Sequence, residues 1–129
     1  MKTFLLPFGK IILLESNIAE IIINDAVVLD ESMVIKYRNI MQAQLKTPYS
    51  LLINKENGYS YTFDAQLIMG QLNDDVAFRA VVVYSQSAEM ATQIVMNINK
   101  NNNWNIKIFR ERKLAIEWLL QNQNNKSAM

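Results

Sequence analysis

The charged side chain with the most unusual setting in this sequence is Arg79, which interrupts an otherwise apolar, valine-rich segment from Ala77 to Tyr84. Burying a charge without a partner is very costly in free energy. Arg79 is therefore expected either to pair with a carboxylate or to line a pocket that binds an anion, and structural pairing is the preferred interpretation. Because arginine holds its proton too tightly to act as a base, any chemistry at Arg79 would be recognition of a carboxylate or phosphate.

Aromatic and hydroxyl side chains follow the predicted strands. Tyr59, Tyr61 and Tyr84 are placed to line a pocket at the carboxyl ends of the strands, where ligands of open α/β sheets commonly bind. Packing in the core or at its rim is the preferred interpretation of these tyrosines. Ser85 opens a predicted helix, and helix N-termini favour anions. Since no glycine-rich loop accompanies Ser85, helix capping explains this residue and nucleotide binding is not expected.

The adjacent residues Asp74 and Asp75 form an acidic pair ahead of the apolar segment. Paired carboxylates can bind a metal ion or transfer protons. Neighbouring residues at the start of a strand usually point in different directions, so a solvated turn is the preferred interpretation and no metal site is predicted.

The chain contains neither cysteine nor histidine. This removes disulfides, thiolate nucleophiles and zinc–thiolate sites, together with the commonest general base and metal ligand. Any catalysis would depend on a carboxylate, lysine or tyrosine with a strongly shifted pKa. We therefore predict that the protein is not an enzyme and uses no metal or cofactor. The lack of cysteine is compatible with a reducing compartment, and we predict a cytoplasmic location.

Composition excludes two classes of partner. The 129 residues suit one domain, half of them are hydrophobic, and the net charge is only +1, so no basic footprint for nucleic acid is expected. No apolar run reaches the roughly 18 residues that a membrane span requires. The apolar N-terminal segment is broken by Pro7 and followed by Lys10, which favours structure over a targeting signal.

The first half of the chain predicts a hairpin, a helix and a strand. Two short β-branched segments, Lys10–Glu15 and Ala19–Asn24, flank a turn and indicate a β-hairpin. Asp30 is a suitable N-cap for the next helix, which stops at Thr47–Pro48 because the residue before proline avoids the α region. A short apolar strand is predicted at Tyr49–Ile53, with a loop from Lys55 onward.

The second half alternates helices and strands. Thr62 is a plausible N-cap for a helix, and Ala77–Tyr84 has the composition of a central strand covered on both faces. A further helix, a strand alternating from Trp104 to Ile108 and a last helix from about Glu111 follow. Strands joined through helices indicate right-handed crossovers in a parallel sheet.

These elements define the predicted fold. We predict a single α/β domain over residues 1–121, in the order β-β-α-β-α-β-α-β-α, in which a β-hairpin precedes right-handed β-α units and helices cover a mixed sheet. Residues 122–129 are predicted to form a disordered tail.

Four segments within residues 10–120 carry a family resemblance: Val27–Glu31 after the hairpin, Leu51–Ile53, Phe78–Val83 followed by Ser85, and Ile106–Phe109 followed by Ala115–Leu119. On these segments the chain resembles the STAS fold of anti-sigma-factor antagonists. It is particularly similar to small bacterial STAS/SEC14-like proteins of unknown function.

The resemblance implies a regulatory loop but lacks its motif. In the anti-sigma antagonists the loop after the equivalent of Leu51–Ile53 carries a phosphorylatable serine in an Asp-Ser-Ser/Thr-Gly motif. The matching stretch here contains Ser60 and Thr62, the two candidate regulatory residues. Asp64 and Ala65 stand where the Ser/Thr and Gly of the motif would be, so we predict that neither Ser60 nor Thr62 is phosphorylated.

The resemblance also implies the leading function, a non-enzymatic STAS-like interaction or regulatory module. Its expected partner is another protein of unknown identity, and a homodimer is a candidate assembly. The alternative is a carrier for a small apolar ligand or lipid, by analogy with the SEC14-like proteins, and an enzyme ranks third. Ligand contacts in either case would involve Arg79, Ser85, Tyr59 and Tyr61.

Overall fold

The computed structural model describes the backbone of residues 2–71 and 75–127 and the side chains of that set up to Asn124. Its elements, in chain order, are β1 Thr3–Leu6, β2 Gly9–Glu15, β3 Ile18–Ile23, β4 Val28–Leu29, α1 Glu31–Gln44, β5 Tyr49–Lys55, β6 Ser60–Tyr61, α2 Phe63–Gln71, β7 Val76–Val83, α3 Gln86–Ile98, β8 Ile106–Phe109 and α4 Arg112–Ser127. A 3₁₀ turn at Lys100–Asn102 follows α3. The predicted α/β fold is confirmed.

The main sheet in the described residues has six strands in the order β1-β2-β3-β5-β7-β8. β1, β2 and β3 pair antiparallel, whereas β3, β5, β7 and β8 pair parallel. Each parallel neighbour is reached through one helix, so α1, α2 and α3 are the crossover helices. Because the strand order advances in one direction, right-handed crossovers place all three helices on one face of the sheet.

Three short strands were not predicted. Thr3–Leu6 adds an edge strand to the hairpin, while Val28 and Leu29 of β4 pair in parallel with Ser60 and Tyr61 of β6. Two-residue strands are too short to produce the alternation by which strands are recognised in a sequence. The β4–β6 pair holds the segment containing Tyr59 and Tyr61 against the start of α1.

Strand β5 is longer than predicted and ends at Lys55 rather than Ile53. The sequence placed Lys55 in a loop because polar residues follow the apolar run. Asn54 and Lys55 are nevertheless both buried. The Asn54 side chain donates to Glu20 with an Nδ2–Oε2 distance of 2.8 Å, whereas the Lys55 ammonium lies against aromatic rings.

Among the described helices, α4 is the one that packs on the second face of the sheet. Its buried residues Ala115 and Leu119 contact Leu52, Ala80 and Val82, which alternate in β5 and β7 with residues facing the opposite side. Trp118 is partly buried on this face between the rings of Phe78 and Phe109, at centroid distances of 5.7 and 5.6 Å.

The predicted tail from residue 122 is wrong for residues 122–127, because α4 continues to Ser127. Gln123 is buried, its Oε1 accepts from Ser50 Oγ at 2.5 Å, and its Nε2 donates to the Pro48 carbonyl at 2.6 Å. The polar composition suggested a solvated tail, but Gln123 joins the helix to the start of β5. Residues 128 and 129 lie outside the described part of the chain.

A second polar junction joins the start of α4 to the sheet. Glu20 of β3 is 1% exposed, and Arg112 binds it through two hydrogen bonds, Nη2–Oε1 at 2.6 Å and Nε–Oε2 at 2.9 Å. Burial alone would raise the pKa of Glu20. The hydrogen bonds from Arg112 and Asn54, with the positive charge of Arg112, hold that pKa below its ordinary value.

Candidate functional site

A cavity lies between the sheet and the layer formed by α1, α2 and α3. Its volume is about 60 Å³, compared with roughly 150 Å³ for a cavity that binds benzene. Its wall is largely apolar and comes from the sheet and all three helices: Ile21, Ile23, Leu29, Val34, Met41, Leu51, Ile53, Met69, Val76, Val81, Thr92, Val95 and Ile106.

The charged side chains that line the cavity, among the described residues, are all cationic. They are Lys55, Arg38 and Arg79, and they are accompanied by Trp104 and four tyrosines, Tyr37, Tyr49, Tyr59 and Tyr61. None of the described residues that line the cavity carries a carboxylate. The lining residues in the described part of the chain therefore place cations and hydrogen-bond donors beside an apolar wall.

Arg79 lies at one end of the cavity. It is 7% exposed, and the carbon of its guanidinium lies 4.0 Å from the centroid of the Trp104 ring, a stacking geometry that stabilises a cation. Burial lowers the pKa of Arg79 to about 10, while the nearby Tyr37 and Tyr49 oppose this shift. Arg79 is thus part of the cavity wall, and its pairing with a carboxylate stays a prediction.

Two further donors lie at this end of the cavity. Among the described residues, Trp104 Nε1 and Arg38 Nε are buried without a hydrogen-bond partner. Leaving a buried donor unsatisfied typically costs about 1–3 kcal/mol, so such groups call for an explanation. Since Trp104 and Arg38 both line the cavity, an acceptor on a bound molecule would satisfy them. Arg38 also faces Asp75, with an Nη2–Oδ2 distance of 3.8 Å.

Lys55 lies at the other end, close to two aromatic rings. It is 8% exposed, and its Nζ lies 5.5 Å from the ring centroid of Tyr59 and 5.1 Å from that of Tyr61. The two tyrosine hydroxyls are 3.1 Å apart. Burial lowers the pKa of Lys55 to about 8 and raises the pKa of both tyrosines. Tyr59 and Tyr61 thus pack against the core and also line a pocket.

The strand register sets the distance between the two ends. Arg79 of β7 lies opposite Leu51 of β5, and Lys55 lies four residues further along β5. At about 3.3 Å per residue, the Cα atoms of Lys55 and Arg79 are separated by about 13 Å along the strand direction. Lys55 and Arg79 are therefore two separate cationic positions in one cavity.

Comparison of this chain with models of protein families, with curated proteins and with solved structures finds no match. The chemistry of the cavity is consequently the basis for any functional assignment.

An open cleft lies outside the cavity at the carboxyl ends of β5 and β7. Its volume is about 330 Å³, and Lys55 and Tyr59 belong to its wall as well as to the cavity wall. Tyr84 and Ser85 line this outer cleft rather than the cavity. Ser85 caps α3, since its Oγ accepts from the amide of Ala88 at 3.2 Å. Of the four predicted ligand contacts, the fold therefore brings together Arg79, Tyr59 and Tyr61, and leaves Ser85 outside.

The candidate regulatory residues lie next to the cavity wall. Ser60 is exposed in β6. Thr62 caps α2, because its Oγ1 accepts from the amide of Ala65 at 3.0 Å. The absence of phosphorylation at both residues stays a prediction.

The predicted acidic pair is only partly covered by the structure. Asp74 lies outside the described residues. Asp75 accepts a hydrogen bond from the side chain of Gln42. Within residues 2–71 and 75–127, no group of three or more acidic residues is arranged to hold a metal ion. None of the helices in this part of the chain combines the length and apolar character needed to cross a membrane.

Sequence reasoning missed Lys55, Trp104 and the two α1 residues Tyr37 and Arg38 as site residues. A usable signal existed for Lys55. It follows Leu51 and Ile53 at the alternating spacing of a strand, so extending β5 by two residues places it on the cavity face. Nothing local marks Trp104, which meets Arg79 only through the pairing of β7 with β8.

Proposed function

We propose that this protein is a non-enzymatic binding domain whose cavity holds a small, largely apolar molecule bearing one anionic group. The observation that carries the proposal is the composition of the cavity wall. It combines apolar side chains with three cationic residues and with two buried donors, Trp104 Nε1 and Arg38 Nε, that have no hydrogen-bond partner among the described residues. Ligand pockets typically combine a mostly apolar wall with a few placed polar groups.

The anionic group is assigned to the end of the cavity at Arg79. The guanidinium of Arg79 lies there with the buried, unsatisfied donors Trp104 Nε1 and Arg38 Nε. A carboxylate is a suitable acceptor for such a set of donors. The volume of about 60 Å³ favours a short-chain acid over a single-ring acid or a long-chain lipid. This narrows the alternative carrier function that the family resemblance implies.

The proposal is tested by titrating the protein with acetate, propanoate and butanoate, and with the matching alcohols ethanol, 1-propanol and 1-butanol. Hydrogen bonds to charged groups contribute about 1.5–3 kcal/mol, so at least one acid should bind about tenfold or more tightly than its alcohol. Isothermal calorimetry gives the affinities. Equal affinity of each acid and its alcohol, or no saturable binding, would contradict the proposal.

A matched pair of variants locates the ligand. Val81 faces the cavity, whereas Val82, the next residue, packs against α4 on the opposite face. Val81→Ile fills part of the cavity and should weaken binding by about tenfold or more, the usual effect of one methylene in an apolar pocket. Val82→Ile should leave affinity unchanged and destabilise the fold by about 1–3 kcal/mol through overpacking. Equal affinities of the two variants would place the ligand elsewhere.

A second candidate function is the STAS-like interaction module, cytoplasmic and regulatory, that the sequence predicts. The exposed apolar side chains of two neighbouring helices favour it, namely Phe63 and Leu67 of α2 and Met90 and Ile94 of α3. Native mass spectrometry of purified protein separates the two functions. A co-purifying small molecule supports the binding domain, whereas a ligand-free dimer supports the module.

A further inference from the structure

We propose that Lys55 is a nucleophilic amine that captures a small apolar aldehyde or ketone in the cavity as a reversible imine. This inference rests on the proposed function, because the carbonyl compound must enter the cavity assigned above to a small acid. It adds a covalent activity at the end of the cavity remote from Arg79.

Lys55 lies where the wall of the cavity meets that of the outer cleft. Lys55 is the last residue of β5, on the strand face that carries Leu51 and Ile53, and all three line the cavity. The intervening Asn54 faces the other side, where it binds Glu20. Although lysine side chains are rarely buried, that of Lys55 is more than nine-tenths buried.

The surroundings of the amine favour its neutral, nucleophilic form. Its nearby groups are the faces of Tyr59 and Tyr61, and no carboxylate of the described residues forms an ion pair with it. Glu56, adjacent in sequence, lines the outer cleft that Lys55 also borders, but in the described residues it forms no ion pair with Lys55. Lysine desolvated in an apolar pocket is a recognised form of activated nucleophile.

The shifted pKa supports this geometry. With its pKa lowered to about 8, about one tenth of Lys55 is neutral at pH 7, compared with roughly one part in 2,500 for an ordinary lysine of pKa about 10.4. Lower basicity also makes an amine a weaker nucleophile, which offsets part of the effect of the larger neutral fraction. Lys55 should nonetheless react faster than exposed lysines at neutral pH.

The reaction needs no oxidant, reductant or metal. The nitrogen lone pair attacks the carbonyl carbon, a C–N bond forms, and a proton moves from nitrogen to oxygen to give a carbinolamine. Loss of water then breaks the C–O bond and leaves the C=N bond of the imine, which water can hydrolyse again. Tyr59 and Tyr61 belong to the same wall and keep their protons at neutral pH because burial raises their pKa. Their hydroxyls are therefore candidate donors for the departing water.

The experiment treats the full-length protein with propanal or butanal and sodium cyanoborohydride at pH 7, followed by peptide mapping by mass spectrometry. Cyanoborohydride reduces an imine to a stable secondary amine. We expect Lys55 to be modified at least about tenfold faster than Lys46, an exposed lysine of the same chain. Prior saturation with the acid that binds best should slow modification of Lys55 and leave Lys46 unaffected.

Variants provide the control. Lys55→Arg keeps a cation but cannot form the imine, so the fast modification should disappear, whereas Lys46→Arg should retain it. The primary readout is the wild-type protein and does not depend on either variant folding. Modification of Lys55 no faster than that of Lys46 would overturn the inference and assign Lys55 as an ammonium only, even where the acids bind as proposed. If the acids fail to bind but Lys55 is modified fast and saturably, the proposal of an anionic ligand is overturned. The proposal that Lys55 is a nucleophilic amine then stands by itself.

Discussion

Replacing Arg112 with methionine is expected to destabilise the protein by about 2–3 kcal/mol at pH 7. Glu20 is 1% exposed, and Arg112 supplies two of its three described side-chain hydrogen bonds. Removing one partner of a fully buried ion pair costs about 3–5 kcal/mol. The side chain of Arg112 is itself 44% exposed, so water can approach the uncovered carboxylate of Glu20. The expected loss of unfolding free energy is therefore smaller than for a fully buried pair. Urea unfolding followed by tryptophan fluorescence measures the loss.

The pH dependence of this loss identifies Glu20 as its source. In the wild type the folded-state pKa of Glu20 is below its ordinary value of 4.5. Ionisation of Glu20 thus contributes stability that is fully present above pH 4.5 and is lost as the pH falls through the lower folded pKa. Without Arg112, burial should raise that pKa above 4.5. The variant then loses least at acidic pH, where Glu20 is protonated, and most at neutral pH.

Two further variants complete the test. Arg110, two residues away, pairs with Glu89 at the surface, so Arg110→Met should cost less than about 1 kcal/mol, as exposed ion pairs do. Adding Glu20→Gln to Arg112→Met should restore part of the lost stability, because the buried charge is removed. A loss for Arg112→Met that is the same at pH 4 and pH 7, or no larger than that for Arg110→Met, would refute the reasoning.

Three other substitutions test the packing around the sheet. Gln123→Ala should destabilise the fold by about 1–3 kcal/mol in urea unfolding, since it leaves Ser50 Oγ and the Pro48 carbonyl without their described partner; an unchanged midpoint would mean that the end of α4 is not docked. Trp118→Ala should cost about 3 kcal/mol, at the lower end for a buried tryptophan because Trp118 is only partly buried, and a wild-type thermal melt would contradict this. Thr62→Ala should cost about 1 kcal/mol through loss of the α2 cap, with Thr62→Ser as the stable control. Phosphate on Ser60 or Thr62 in protein from its native cell would contradict the prediction that neither is modified.

The parts of the fold with a local chemical signal were predictable from the sequence. The hairpin of β2 and β3 followed from two β-branched runs, and the start of α1 followed from Asp30, whose Oδ1 accepts from the amide of Met33 at 2.9 Å. The order of strands and helices from β5 to α4 followed from hydrophobic periodicity. These features are decided within a few residues, so sequence patterns alone specify them.

The polar interior was not predictable in the same way. Glu20 is one polar residue in an apolar strand, and its burial depends on Arg112, 92 residues away in sequence. Arg79 stood out as a charge in an apolar strand, but its setting depends on Trp104 and Tyr37, which only the tertiary fold brings near. Lys55 was assigned to a loop because polarity usually marks the end of a strand. For each of these residues, long-range contacts override the local pattern.

The two polar junctions of α4 determine where along the sheet that helix can sit. Arg112 and Gln123 are 11 residues apart, which is about three helical turns, so both project from the same side, separated by about 16 Å along the axis. Apolar contacts made by Ala115 and Leu119 have little directionality, and a slide by one turn could exchange one such contact for another. The same slide would separate Arg112 from Glu20 and Gln123 from Ser50 together. The two junctions together therefore allow a single alignment of helix and sheet. Inserting one residue between Arg112 and Gln123 would rotate one junction by about 100° relative to the other.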